Sequence, residues 1–80
     1  MSVTVLLFAS YAEAFGAPSL AMDLPAGATV ADVLAELRSR VGADRLPPSP
    51  LVAVNQHYAR ASSPVAAGDE VAIIPPVAGG

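Results

Sequence analysis

The chain has 80 residues, of which 54% are hydrophobic and 14% charged, and its net charge is −3 at pH 7. This length fits one small domain, and so apolar a chain is not expected to be disordered. Because cysteine is absent and histidine occurs once, the sequence excludes disulfides, cysteine nucleophiles and Cys/His zinc sites. The acidic balance also argues against a nucleic-acid partner.

The first predicted element is a strand over residues 3–9, where apolar residues run without interruption. This run is much shorter than the ~18 residues that span a bilayer, and no basic segment precedes it, so we expect no membrane contact and a cytoplasmic protein. Residues 10–15 are predicted to form one turn, since Gly16 and Pro18 follow directly. Residues 19–24 alternate with period two, which predicts a second strand in a hairpin with the first.

The clearest helix is predicted to begin at Thr29, which can form a capping box with Asp32. Apolar residues recur on one face of this helix, and Gly42 is expected to stop it. The residues of that face are Val30, Val33, Leu34, Leu37 and Val41. Three prolines make residues 43–50 a loop.

Three more strands complete the predicted fold. Two short ones, over residues 51–54 and 57–60, are joined by a tight turn at Asn55 and Gln56, and the last covers residues 70–74. The order β-β-α-β-β-β indicates an α+β fold, in which a sheet of about five strands packs on one main helix. Residues 1–76 form the expected domain.

The remaining residues, 77–80, form a predicted C-terminal tail. Pro75 and Pro76 before it should end the last strand and favour an extended chain. Four residues reach at most about 14 Å. Since Gly79 and Gly80 lack Cβ atoms, the terminal carboxylate can enter a narrow tunnel in a partner, where it would be the reacting group. The alternative is a frayed end without function.

Period-two alternation also predicts an uncovered apolar face on the sheet. The residues placed toward the helix are Val3, Val5, Leu7, Val71 and Ile73. Those left on the opposite face are Leu6, Phe8, Ala72 and Ile74, and Tyr58 can extend this patch. Such a patch is typical of a protein interface. Two alternatives stay open, a register slip at a bulge and coverage by the loop over residues 43–50.

No group of side chains in the sequence has the pattern of a catalytic or metal site. The sequence contains no phosphate-binding glycine loop and no Ser-His-acid signature. His57 lies beside a turn and is expected to be solvated, since it has no companion ligands for a metal.

The last thirteen residues, 68–80, closely resemble the C-terminus of the MoaD family, the small sulfur-carrier subunits of molybdopterin synthase. Further similarity is found over residues 3–9 and 52–56, and at Gly16, Thr29, Leu34 and Leu37. The resemblance implies a ubiquitin-like β-grasp fold with a mixed sheet and no permanently bound cofactor.

In that family an E1-like enzyme adenylates the terminal glycine with ATP, and a persulfide donor supplies sulfur to form a thiocarboxylate. The tail then enters the large subunit of molybdopterin synthase, where the sulfur passes to cyclic pyranopterin monophosphate. The resemblance thus implies Gly80 as the reacting residue and Gly79 as the residue that allows access. The catalytic side chains are expected on the large subunit. The implied partner interface consists of Phe8, Tyr58, Ile74, Pro75, Pro76, Val77 and Ala78.

Two alternative functions remain at this point. One is a sulfur carrier for another pathway, thiamine thiazole or cysteine synthesis, which would share the fold and the Gly-Gly end. The other is a non-reactive ubiquitin-like binding module that uses the sheet patch and not the carboxylate.

Overall fold

The computed structural model describes residues 1–40 and 42–76. Its strands are β1 (Ser2–Leu7), β2 (Ser19–Asp23), β3 (Leu51–Val54), β4 (His57–Ala59) and β5 (Glu70–Ile74). Its helices are α1 (Ala9–Phe15) and α2 (Val30–Arg38), followed by a 3₁₀ turn at Ala43–Arg45. The strand order in the sheet is β2-β1-β5-β3-β4. Strands β1 and β5 are parallel and the other neighbours antiparallel, so this mixed sheet has the β-grasp architecture that the resemblance implies.

The core lies between one face of the sheet and helix α2. The five strand residues predicted to face the helix are each at most 2% exposed, which confirms the predicted alternation. Helix α2 contributes Val30, Val33 and Leu37 to the same cluster. The apolar stripe of helix α2 therefore packs against the apolar face of the sheet. Val41, predicted for the same helix face, lies outside the described residues.

Helix α2 begins as predicted and ends earlier. The backbone N–H of Thr29 donates to Asp32 Oδ2 at 2.8 Å, and the reciprocal bond completes the capping box. The prediction that Gly42 stops the helix is wrong, because α2 ends at Arg38. The hydroxyl of Ser39 donates to the carbonyl of Glu36 at 2.7 Å, and such a bond offers the backbone an alternative to another helical turn.

Gly42 has a different role, in the packing of the 3₁₀ turn against α1. Its φ of 99° is in the left-handed region, and a Cβ atom there would collide with the backbone carbonyl of Ala14. Glycine is therefore required at this position both by conformation and by space.

Helix α1 corrects the prediction of a single turn over residues 10–15. It has seven residues and ends at Gly16, whose φ is 80° and whose N–H donates to the carbonyl of Ala12. Tyr11 is only 3% exposed and packs in the core, so a tertiary contact stabilises a helix that is too short to form alone. Strands β1 and β2 pair antiparallel as predicted, but this helix connects them.

The turn between β3 and β4 forms where it was predicted. Asn55 and Gln56 have φ values of 49° and 72°, and consecutive left-handed residues match the twist of a two-residue hairpin. Strand β4 ends at Ala59, one residue earlier than expected, because the N–H of Arg60 donates to Ser63 Oγ at 2.9 Å and so starts the next turn.

Candidate functional site

The uncovered face of the sheet carries a continuous row of apolar residues. In the strand register Leu6 is opposite Ala72, Ala72 is opposite Ala53, and Ala53 is opposite Tyr58. Residues directly opposite one another place their side chains on the same face. The row therefore crosses four strands, from β1 through β5 and β3 to β4.

A second row lies beside the first, toward the C-terminal end of β5. It pairs Ile74 with Leu51, and Phe8 follows β1 with an extended backbone, two residues beyond Leu6 and so on the same face. We call these two rows, Leu6, Phe8, Leu51, Ala53, Tyr58, Ala72 and Ile74, the apolar patch. Phe8, Tyr58 and Ile74 thus lie together as predicted, and their role in docking stays a prediction.

The patch contains all the strongly exposed large apolar side chains of the described residues. Phe8 is 47% exposed, Leu51 50% and Tyr58 75%. The loop over residues 43–50 therefore does not cover this face, and the continuous ladder shows no slip in register. Sequence reasoning missed Leu51, although the same alternation that turns Val52 and Val54 inward turns Leu51 outward.

The patch occupies only one end of the sheet. At the other end of β1 and β5, the opposed residues are Thr4 and Glu70, and Ser2 pairs with Asp23 on β2. The apolar end is the one at which β5 stops, at Ile74, as predicted. Pro75 is half-buried and Pro76 exposed, so the chain leaves the sheet from the edge of the patch.

The predicted tail residues Val77, Ala78, Gly79 and Gly80 lie outside the described residues. They begin directly after Pro76, so the tail is joined to the fold at the margin of the apolar patch. Four residues reach at most about 14 Å, so a partner that takes up the terminal carboxylate must come within that distance of Pro76.

An apolar groove adjoins the patch. Leu51 and Ile74 belong to both, and the other lining residues are Tyr11, Pro47, Ser49, Pro50 and Pro76. Its volume is about 340 Å³. Arg38 on α2 fixes the loop that forms one wall, donating to the carbonyl oxygens of Pro47 at 2.7 Å and Pro48 at 3.1 Å.

The described residues include no buried polar or charged residue and no cluster of three or more His, Asp or Glu side chains that could hold a metal ion. His57 is exposed, as expected. Within residues 1–40 and 42–76, no helix is long and apolar enough to cross a membrane.

One polar network lies at the end of the sheet opposite the patch. Asn55 Nδ2 donates to Asp69 Oδ1 at 3.0 Å, and the N–H of Ala66 donates to Asp69 Oδ2 at 2.7 Å. These two bonds, the first more than the second, hold the pKa of Asp69 below its usual value. Because the N–H of Glu70 donates to Asn55 Oδ1 at 3.0 Å, the network fixes the start of β5 and has a structural role.

Comparison with known proteins agrees with this geometry. The ThiS family model matches residues 5–80. Over 81 residues the chain is 36% identical to the molybdopterin synthase sulfur carrier subunit of Arabidopsis thaliana, covering all of this chain and 84% of that protein. The resemblance to sulfur carrier subunits found in the sequence is thereby confirmed.

Solved structures show the same fold. The structure of SAMP1 from Haloferax volcanii superposes with a TM-score of 0.85 at 35% identity, over the whole of both chains. A chain in the complex of subunits 1 and 2 of molybdopterin-converting factor from Helicobacter pylori gives a TM-score of 0.74 at 22% identity, again over the whole of both chains, which shows the fold alone. With a ubiquitin-like β-grasp fold and a family match from residue 5 to residue 80, the chain belongs to the ThiS family.

Proposed function

We propose that the chain is the sulfur carrier of molybdopterin synthase and that its Gly80 carboxylate carries the sulfur. The observation that supports this most strongly is the position of the apolar patch at the edge where the chain leaves β5 toward Gly79 and Gly80. The apolar patch is then the docking surface, and the reactive terminus, which has no side chains at Gly79 and Gly80, is attached at its edge. The likeness to the carrier subunit of Arabidopsis thaliana over the whole chain supports the same role.

The chemistry requires activation of the carboxylate first. A carboxylate is a poor electrophile, so an E1-like enzyme transfers AMP from ATP to Gly80 and releases pyrophosphate. A persulfide sulfur then attacks the acyl carbon and AMP leaves, and a thiol cleaves the sulfur–sulfur bond so that one sulfur stays on the glycine. The described residues of this chain provide no catalytic side-chain cluster, so the activating enzyme and the persulfide donor supply the catalytic groups.

The large subunit of molybdopterin synthase then uses the thiocarboxylate. The patch, centred on Phe8, Tyr58 and Ile74, docks on that subunit while the tail places the sulfur in its active site. There the sulfur passes to cyclic pyranopterin monophosphate, and hydrolysis returns the Gly80 carboxylate. The chain is in this way a subunit and a co-substrate. It needs no permanently bound cofactor, and ATP is consumed by the activating enzyme.

A second candidate function is supported by the likeness to SAMP1, one of the small archaeal modifier proteins. A protein modifier would use the same Gly80 carboxylate but would end attached to another protein. Carriers for thiamine thiazole or cysteine synthesis would form the same thiocarboxylate and differ in the acceptor. A non-reactive binding module would use the patch alone.

Intact mass spectrometry tests the carrier chemistry. The purified chain is incubated with ATP, the activating enzyme and a persulfide donor, and the proposal predicts a mass gain equal to the difference between a sulfur and an oxygen atom. Deletion of Gly80 is the matched control, and it should abolish the gain while leaving the circular dichroism spectrum unchanged. An unchanged mass for the full chain would refute the carrier chemistry and leave the protein modifier and the binding module.

A further inference from the structure

The groove beside the patch is a preformed cavity whose use the proposed function leaves open. Its walls come from four parts of the chain: Tyr11 of α1, the proline loop over residues 47–50, the facing ends of β3 and β5, and Pro76. None of the lining residues is charged, and the polar groups among their side chains are the Ser49 hydroxyl and the Tyr11 phenol. Such a lining favours an apolar occupant over an ion or a sugar.

The walls of the groove are held in place before any partner arrives. Tyr11 is 3% exposed and anchored in the core, and the prolines of the loop have fixed φ angles. Arg38 reaches from α2 to the same loop with two hydrogen bonds, to the carbonyls of Pro47 and Pro48. A fixed cavity lowers the entropy cost of inserting a side chain.

The position of the groove identifies the partner that covers it. Leu51 and Ile74 lie in both groove and patch, so a surface that covers the patch continues over the groove. Pro76 lines the groove and is followed by four residues, which reach at most about 14 Å. A protein that takes up Gly80 must therefore come within about 14 Å of the groove.

The size of the groove limits what that protein can insert. A volume of about 340 Å³ is at the low end of the roughly 300–1,000 Å³ of small-molecule pockets. It suits one large side chain, and buried apolar anchors of this kind dominate many interfaces.

We propose that the groove receives one large apolar side chain of the molybdopterin synthase large subunit, and that Arg38 is a positioning residue that holds the groove open. The inference rests on the proposed function and adds an anchor to its docking surface. The patch supplies broad contact, and the groove adds one anchor point that orients the chain on the large subunit.

Filling the groove tests the proposal directly. Ser49 lines the groove and is exposed, so Ser49→Trp should place a large side chain in the cavity without removing a core contact. Calorimetry should show about tenfold or more weaker binding of the cognate large subunit, with thiocarboxylate formation by the activating enzyme within about twofold of wild type. The matched control is Ser62→Trp, the same change at an exposed residue that does not line the groove, and it should bind normally.

Two outcomes of this experiment overturn the inference. If Ser49→Trp and Ser62→Trp bind the large subunit equally well, the groove holds no anchor, although the proposed function stands. If Ser49→Trp loses thiocarboxylate formation but keeps large-subunit affinity, the groove serves the activating enzyme instead. Failure of the wild-type chain to bind the large subunit would refute the proposed function as well.

Arg38 gives an independent test with a close control. Arg38→Ala frees the loop and should weaken large-subunit binding several-fold, and the Ser49 amide resonance should shift. Arg38→Lys, which keeps one donor, should restore part of the affinity. Arg40 lies near the same helix end but pairs with Glu36 at 3.5 Å, so Arg40→Ala should bind like wild type. Equal affinities for Arg38→Ala and Arg40→Ala would contradict the positioning role.

Discussion

Two neighbouring isoleucines on β5 allow the stability of the fold and the binding of a partner to be tested separately. Ile73 is fully buried in the core, whereas Ile74 is half-buried on the opposite face and lies in both the patch and the groove. The same substitution should therefore act differently at the two positions. Ile73→Ala should lower mainly the stability of the fold, and Ile74→Ala mainly the affinity for the large subunit.

The magnitudes follow from burial. Truncating a fully buried isoleucine to alanine costs about 2–5 kcal/mol, a large part of the roughly 4–12 kcal/mol expected for 80 residues. At roughly 4–8 °C per kcal/mol, Ile73→Ala should lower the melting temperature by at least about 8 °C. Ile74 is already partly in water, so its truncation should cost about 1 kcal/mol of stability. Its loss should weaken large-subunit binding by about 1–2 kcal/mol, or roughly five- to thirtyfold.

Thermal unfolding followed by circular dichroism, together with calorimetric titration of the large subunit, measures both quantities. Ile73→Ala should retain near-wild-type affinity at a temperature where it is folded. The assignment of the two faces would be refuted if Ile74→Ala lost as much stability as Ile73→Ala, or if its affinity were unchanged.

Three further predictions concern the scaffold. Thr29→Ala removes the capping box and should cost about 1 kcal/mol, or roughly 4–8 °C in melting temperature, whereas Thr29→Ser should be neutral. Gly42→Ala should destabilise the fold by roughly 1–3 kcal/mol, more than Gly68→Ala, because a Cβ atom at Gly42 meets the carbonyl of Ala14 whereas the space at Gly68 is open. The lowered pKa of Asp69 contributes stability that is present above the unfolded-state pKa and is lost as pH falls through the folded-state pKa. Urea unfolding between pH 5 and pH 2 should therefore show a smaller loss of stability for Asp69→Asn than for wild type.

Most of the fold follows from local sequence patterns. The period-two strands, the capping box at Thr29 and the left-handed turn at Asn55 are each specified by neighbouring residues, and each forms close to its predicted position. The first strand, predicted over residues 3–9, ends at Leu7, because Phe8 is the N-cap of helix α1. Helix α1 could not be predicted in this way, because its stability depends on Tyr11 packing into a core made by distant strands. At the early end of α2 the Ser39 hydroxyl and the backbone N–H groups of Ser39 and Arg40 bond to the carbonyls of Glu36 and Leu37, and the apolar period does not indicate this end.

The candidate site was partly predictable for the same reason. Alternation along single strands places Phe8 and Ile74 on the uncovered face, and the structure adds Leu51 through its register with Ile74. The groove was not predictable, since its lining comes from segments far apart in sequence. Its wall depends on the hydrogen bonds of Arg38 to the proline loop, which no local pattern indicates.

The most direct test of the central claim follows the sulfur itself. The chain carrying a Gly80 thiocarboxylate is mixed with the large subunit and cyclic pyranopterin monophosphate, and its intact mass and the pterin product are measured together. We expect the chain to return to its carboxylate mass as molybdopterin forms, and the unmodified chain to give no product. A thiocarboxylate that persists in this mixture, yet is consumed by a thiazole-forming or cysteine-forming enzyme, would contradict it.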